Sequence, residues 1–372
     1  MNKGNLKENK FYEYIDAFTG NKVIQLTSSD DFNHHPYFYN KSITNDNRYL
    51  IYGNKTKGKR NLFKLDLNDG TSVQLTDAKG INEFFTILSS DDRFIIYTKE
   101  RQIIKLYLDS LEEEQIYEVP EGWSMNEENT PSLSSDDSYI VVTLIKSEDI
   151  YQAEGDWAIF VKQWHKMPRC RIEMIDIERK NSTIVHEEKY WLGQVQFRPN
   201  DNNTLSFCHE GPWQRIDARI WFISSDGTNL RCAKPREGNE QFGHEYWLKD
   251  GSKMGFMHFL RAYGRNATIR FIDPNTLEEE ILMKCAGYSH CISNHDNSKI
   301  VGDGHGSDIS YIYLINVKNK KEEALCEHGT SWNGYGHTQD SHPHPMFSPD
   351  GTFIIFTSDK TGSPAIYRVN LE

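Results

Sequence analysis

The sequence predicts an all-β fold, a seven-bladed β-propeller forming a single domain over residues 1–372. Three observations carry that expectation. A turn signal followed by a β-rich run recurs seven times, a second strand pair follows within each unit, and no segment sustains a helical period. Three copies are close: Asn45-Asp46-Asn47-Arg48 leads into Tyr49-Leu50-Ile51-Tyr52, Ser90-Asp91-Asp92-Arg93 into Phe94-Ile95-Ile96-Tyr97, and Ser135-Asp136-Asp137-Ser138 into Tyr139-Ile140-Val141-Val142. Four weaker copies stand at Pro199-Asn200-Asp201, Lys249-Asp250-Gly251, His295-Asp296-Asn297 and Ser348-Pro349-Asp350-Gly351. The spacing, roughly 45 to 65 residues, suits four-stranded propeller blades.

Within a unit the second pair reads as a hairpin. Asn61-Leu62-Phe63-Lys64-Leu65-Asp66-Leu67 alternates apolar with polar residues, turns at Asn68-Asp69-Gly70 and returns as Ser72-Val73-Gln74-Leu75-Thr76. The last unit ends at Ala365-Ile366-Tyr367-Arg368-Val369-Asn370 and lacks an outermost strand. Gly20-Asn21-Lys22-Val23-Ile24-Gln25-Leu26-Thr27 offers the missing piece, so the two termini are expected to close one blade together. The longest gap between repeats holds Tyr151 to Arg169, with Trp157, Trp164 and His165, and reads as an inserted loop or short helix over one face.

Hydrophobic residues at 37%, a mean hydropathy of −0.69 and 19 each of Tyr and Phe fit a folded protein of half-buried strands rather than a disordered one. The start, Met1-Asn2-Lys3-Gly4-Asn5, has no apolar core for a secretion signal and no run reaches membrane-spanning length, which predicts a cytoplasmic protein with no membrane partner. The six cysteines show no paired spacing and read as buried free thiols. A formal charge of −12 and a pI near 5.6 argue against nucleic-acid binding and make any anionic ligand depend on a local cationic site.

Candidate chemistry lies in the C-terminal half. Gln339-Asp340-Ser341-His342-Pro343-His344-Pro345 places two histidines two residues apart, and the prolines around His344 forbid a helix interior. In an extended chain both rings face one way. With His290 in the preceding repeat and the Gln339 amide, they make a donor set suited to a divalent first-row metal. His209-Glu210-Gly211-Pro212 leads to Arg219, and Gly243-His244-Glu245-Tyr246-Trp247 opens the fifth repeat, so four consecutive repeats place a histidine or arginine near inner-strand starts. Each has a plainer reading: His244 as a packed side chain beside aromatics, Arg219 as an ion pair with Asp217, the histidines as ordinary structural groups. His34, His35, His295, His305 and His328 read as surface or structural.

These words together resemble the oligogalacturonate lyases of polysaccharide lyase family 22, over nearly the whole chain. They are Phe207-Cys208-His209-Glu210-Gly211-Pro212 with Asp217-Ala218-Arg219-Ile220-Trp221, then His244-Glu245-Tyr246-Trp247, Ser289-His290, Val301-Gly302-Asp303-Gly304, and Gln339 with His342-Pro343-His344-Pro345 running on to Phe356-Thr357-Ser358-Asp359. The resemblance implies a cytoplasmic enzyme of pectin breakdown binding Mn²⁺ or another divalent metal through His290, Gln339, His342 and His344. It implies a proton-abstracting base at His244, a uronate contact at Arg219 and a further substrate contact at His209. Trp213-Gln214 and Asp340-Ser341 depart from the family words, and these neighbours bear on chain length and uronate identity.

The implied reaction is β-elimination from a short oligogalacturonate, digalacturonate especially, to 5-dehydro-4-deoxy-D-glucuronate. The C5 proton is weakly acidic beside an anionic carboxylate, so a metal ion and Arg219 neutralise the carboxylate while a neutral imidazole takes the proton. A lyase for another uronate-containing oligosaccharide and a non-enzymatic interaction propeller are the alternatives. A peptidase propeller is disfavoured, because Gly287-Tyr288-Ser289-His290-Cys291 only approaches the Gly-x-Ser-x-Gly elbow.

Overall fold

Every one of the seven turn signals becomes the corner before the second strand of a sheet, and every corner holds one residue in the left-handed region. These are Asn47, Asp92, Asp137, Asn200, Gly251, Asn297 and Gly351, at φ between 59° and 73°. Asn, Asp and Gly are the residues that tolerate this conformation, which is why the signal recurs as an Asx or Gly position. Side chains complete the corner: Ser134 Oγ accepts the Tyr139 backbone N–H at 2.9 Å, and Ser348 Oγ accepts that of Phe353 at 3.1 Å.

The computed structural model describes residues 2–56, 58–125, 130–151, 158–260, 266–306, 310–335 and 337–371. Their strands form seven antiparallel sheets, the blades of the expected β-propeller. The chain divides into two compact units.

The first unit comprises Met1–Glu114, Tyr288–Tyr335 and Gln339–Glu372. One of its sheets runs Tyr288–Ser293, Lys299–Gly304, Tyr311–Asn316, Lys321–Glu327 in chain order. Another closes the termini: Lys22–Gln25 pairs with Ala365–Asn370, in register at Val23↔Val369 and Gln25↔Tyr367. The N-terminus gives more than the one expected strand, since Tyr12–Ile15 adds outside Lys22–Gln25 and Leu6–Glu8 adds to Thr71–Gln74 of the next sheet. Leu26, Leu50, Tyr52, Phe63, Ile355 and Ile366 pack between these two sheets with almost no exposure, each burial being worth about 1.5–3 kcal/mol.

The second unit is built mainly from Gln115–Gly287. It holds sheets starting at Leu192–Arg198 and at Gln241–Trp247, and one centred on Tyr139–Lys146. The inserted segment contains the helix Ala158–Lys166, whose Trp164 lies against Gly211 and donates from Nε1 to the Tyr190 hydroxyl at 3.2 Å. Trp157 lies outside the described residues.

First strands are irregular where the candidate residues sit. Register breaks between Gly243 and Tyr246 and between Tyr288 and Cys291, so His244 and His290 both stand in bulges. A bulge frees a backbone N–H from the ladder and re-aims the side chain. Arg219 and His209 are placed differently from the inner-strand starts expected: Arg219 lies on the third strand of its sheet and His209 ends the second.

Candidate active site

In the first unit, His290, His342 and His344 come together, all three buried, with one nitrogen of each lying within 4.8 Å of the others. Ring centroids are 4.2 Å apart for His290 and His344, 5.3 Å for His290 and His342, and 5.5 Å for His342 and His344. Gln339 Oε1 lies 2.9 Å from His344 Nε2, a separation that a hydrogen bond shares with two ligands of one ion. The rings converge for a reason other than the one the sequence suggested. His344 is not extended: its φ is +46°, left-handed for a non-glycine residue, so the run turns there rather than alternating along a strand.

Backbone and rings are held from outside the run. His34 Nε2 lies 3.0 Å from the His342 carbonyl and His35 Nε2 3.3 Å from that of Pro343, and both imidazoles are fully buried. The structural reading of these two therefore holds and the surface reading does not. His328 is likewise buried. An aromatic wall of Tyr37, Phe38 and Phe84 lies 4.8 to 6.0 Å from the His344 ring, and Trp332 lies 4.9 Å from the His342 ring.

Such surroundings fit a metal. Burial drives the pKa of His290 and His344 well below the usual histidine value, keeping both imidazoles neutral as ligation requires. His290 Nδ1 lies 2.8 Å from Asp303 Oδ2, the carboxylate partner that metal-bound histidines commonly have. Burial pushes the Asp303 carboxyl up to about 7, while backbone N–H groups of His290 and His344 pull it the other way. His344 Nδ1 is buried with no hydrogen-bond partner among the described residues.

The second unit carries the other candidates. His244, partly exposed, stands at φ +57° with its ring edge-on to Trp213 at 5.2 Å. Gly243 makes room for that indole, because a Cβ there would come within 2.7 Å of Trp213. Trp213 thus packs directly on His244. His209 is stacked on Tyr190 at 4.0 Å, tilted against Trp221 at 4.9 Å and anchored by Nε2 on Glu188 Oε1 at 2.9 Å. Burial raises the Glu188 pKa, but the nearby imidazoles of His186, at 3.2 Å, and His209 outweigh it and hold the carboxyl at about 2.

Arg219 does not pair with Asp217, which instead faces Arg236 at 3.7 Å. Its Nε donates to Glu245 Oε1 at 2.7 Å and its two terminal nitrogens to both oxygens of Glu210 at 3.0 and 3.1 Å, with Glu245 Oε2 at 3.3 Å and the His209 carbonyl at 3.5 Å. All five guanidinium hydrogens are taken. Burial opposes its charge, but Cys208, Glu210 and Glu245 raise its pKa well above the usual arginine value.

The sequence model of the oligogalacturonate lyase family matches residues 1–372. This chain belongs to that family. It is 38% identical to the oligogalacturonide lyase of Pectobacterium atrosepticum, over 99% of this chain and 97% of that one. To the oligogalacturonate lyase of Dickeya dadantii it is 37% identical, with the same coverage. A solved oligogalacturonate lyase in complex with manganese superposes with a TM-score of 0.95 at 38% identity, covering 100% of this chain and 99% of that one. The oligogalacturonate lyase of Vibrio parahaemolyticus superposes at 0.92 with 37% identity and the same coverage. The protein is therefore a lyase by family and a propeller by fold. No helix among its described residues is long and apolar enough to cross a membrane.

Proposed function

We propose that the protein cleaves short oligogalacturonates, digalacturonate above all, by metal-assisted β-elimination, releasing 5-dehydro-4-deoxy-D-glucuronate. The observation that carries this reading is the buried cluster of His290, His342 and His344 beside Gln339, in a chain whose relative was solved with manganese. These four residues would hold Mn²⁺ or another divalent first-row ion. When bound, such an ion supplies positive charge to the uronate carboxylate, which makes the neighbouring C5 proton more acidic.

The chain's own residues do the rest. His244 accepts the C5 proton; the C5–H electron pair, delocalised into the carboxylate, becomes the C4–C5 double bond as the C4–O bond breaks, and that bond's pair leaves on the glycosidic oxygen, which takes up a proton as the hydroxyl of the released sugar. The bulge and the Trp213 edge fix the ring in one orientation, which a base needs. His209, locked by Glu188 and two aromatic rings, offers a rigid contact for a sugar. Arg219 has a different part from the direct uronate contact that the resemblance implies. With two carboxylates on one guanidinium it has no spare donor, and we assign it to holding Glu245, the residue next to His244. A cytoplasmic location is part of this reading, and it agrees with substrates as small as digalacturonate.

Substrate identity is tested by comparing digalacturonate with glucuronate-containing disaccharides under the same metal concentration. Turnover of digalacturonate at least tenfold faster supports the assignment. Faster turnover of a glucuronate-containing disaccharide would move the protein to another uronate.

A further inference from the structure

We propose that Asp303 is the positioning residue of the metal centre, one buried carboxylate that holds both the backbone and the ring of His290. The inference rests on reading His290, His342, His344 and Gln339 as the metal ligands, and it concerns a residue outside that set. Asp303 lies on Lys299–Gly304, with no exposure to solvent. The adjacent strand Tyr288–Ser293 loses register between Tyr288 and Cys291, which takes the His290 backbone N–H out of the ladder. Asp303 Oδ1 accepts that N–H at 2.5 Å, and Oδ2 stands 2.8 Å from His290 Nδ1. Both oxygens of the one carboxylate are thus turned to His290.

These contacts have two consequences. As an acceptor, the carboxylate places the His290 ring proton on Nδ1 and leaves the lone pair on Nε2 for a cation. It also holds the His290 backbone N–H that the bulge takes out of the ladder, so the strand keeps its irregular register there. Bulge and ring orientation are thereby tied to one side chain. Asparagine at this position has a single oxygen, so it can keep the backbone contact or the ring contact but not both.

The test titrates Mn²⁺ into metal-free wild type, Asp303→Asn and Asp303→Ala by calorimetry, and reads the His290 tautomer by ¹⁵N NMR. The proposal expects Mn²⁺ binding weakened about 10- to 100-fold in Asp303→Asn, more in Asp303→Ala, and a His290 proton on Nδ1 in wild type. A merely structural residue would lower the melting temperature while leaving the affinity of the folded protein unchanged. Affinity within twofold of wild type in Asp303→Asn would overturn the proposal. Should neither variant fold, a wild-type His290 protonated on Nε2 would overturn it equally. Wild-type protein that binds no Mn²⁺ would instead remove the metal reading itself, and this inference with it.

Discussion

His244 and His344 are the two histidines at positive φ, and each lies where the fold departs from a regular ladder. Strain of this kind costs about 1–3 kcal/mol and persists where the surroundings over-determine it. Distinct variants should separate their roles. His244→Ala is expected to retain bound metal by elemental analysis and to lose about 10² to 10⁴-fold in turnover, whereas His342→Ala should lose the metal. Full activity in His244→Ala would take the base role from it. Arg219→Ala should be a stability variant first: two buried carboxylates left unpaired cost about 3–5 kcal/mol, read as a lower urea midpoint. That His290, His342 and His344 could meet was legible from their residue types, although the extended spacing expected for the last two gives way to a left-handed turn at His344. Asp303, Glu210 and Glu245 were not assigned roles, since an acidic residue in a strand or just beyond its end shows its burial and partner only once the sheet is folded.

At the scale of the element, the repeating corner gave the fold away. The Asx or Gly position read from seven turn signals is the left-handed residue of seven turns, because few other residues tolerate that backbone. At the exposed corner residue Asn200, φ 62°, a change to Val is expected to cost about 1–2 kcal/mol. A change to Gly should stay within about 0.5 kcal/mol, both measured by chemical denaturation. Equal effects of the two would mean that side-chain contacts, not backbone conformation, select the residue. The N-terminal contribution was only partly legible. Leu6–Glu8 and Tyr12–Ile15 are short and mostly exposed, so they carry little strand signal until an edge is present to pair with.

For the molecule, buried histidines set an acid limit. In the first unit, burial lowers His34, His290 and His344 well below the usual histidine value and His35 and His328 to about 4. The unfolded chain binds more protons than the folded one between about 6.5 and 4, so stability rises with pH through that window and is lost as pH falls through it. Each such histidine removes up to about 1.4 kcal/mol per pH unit. Asp303, pushed up to about 7, has the opposite sign and offsets one of them. The metal-free protein should therefore show a much lower urea midpoint at pH 5 than at pH 7.5. Similar midpoints would mean that these rings are already protonated in the fold.

The central claim is elimination assisted by a metal ion, and the most direct test is mass spectrometry of digalacturonate incubated with the protein, with Mn²⁺ and with a chelator. The account predicts products whose masses sum to that of the substrate, formed with Mn²⁺ and absent with the chelator. Products heavier in sum by one water, or equal turnover in the presence of the chelator, would contradict it.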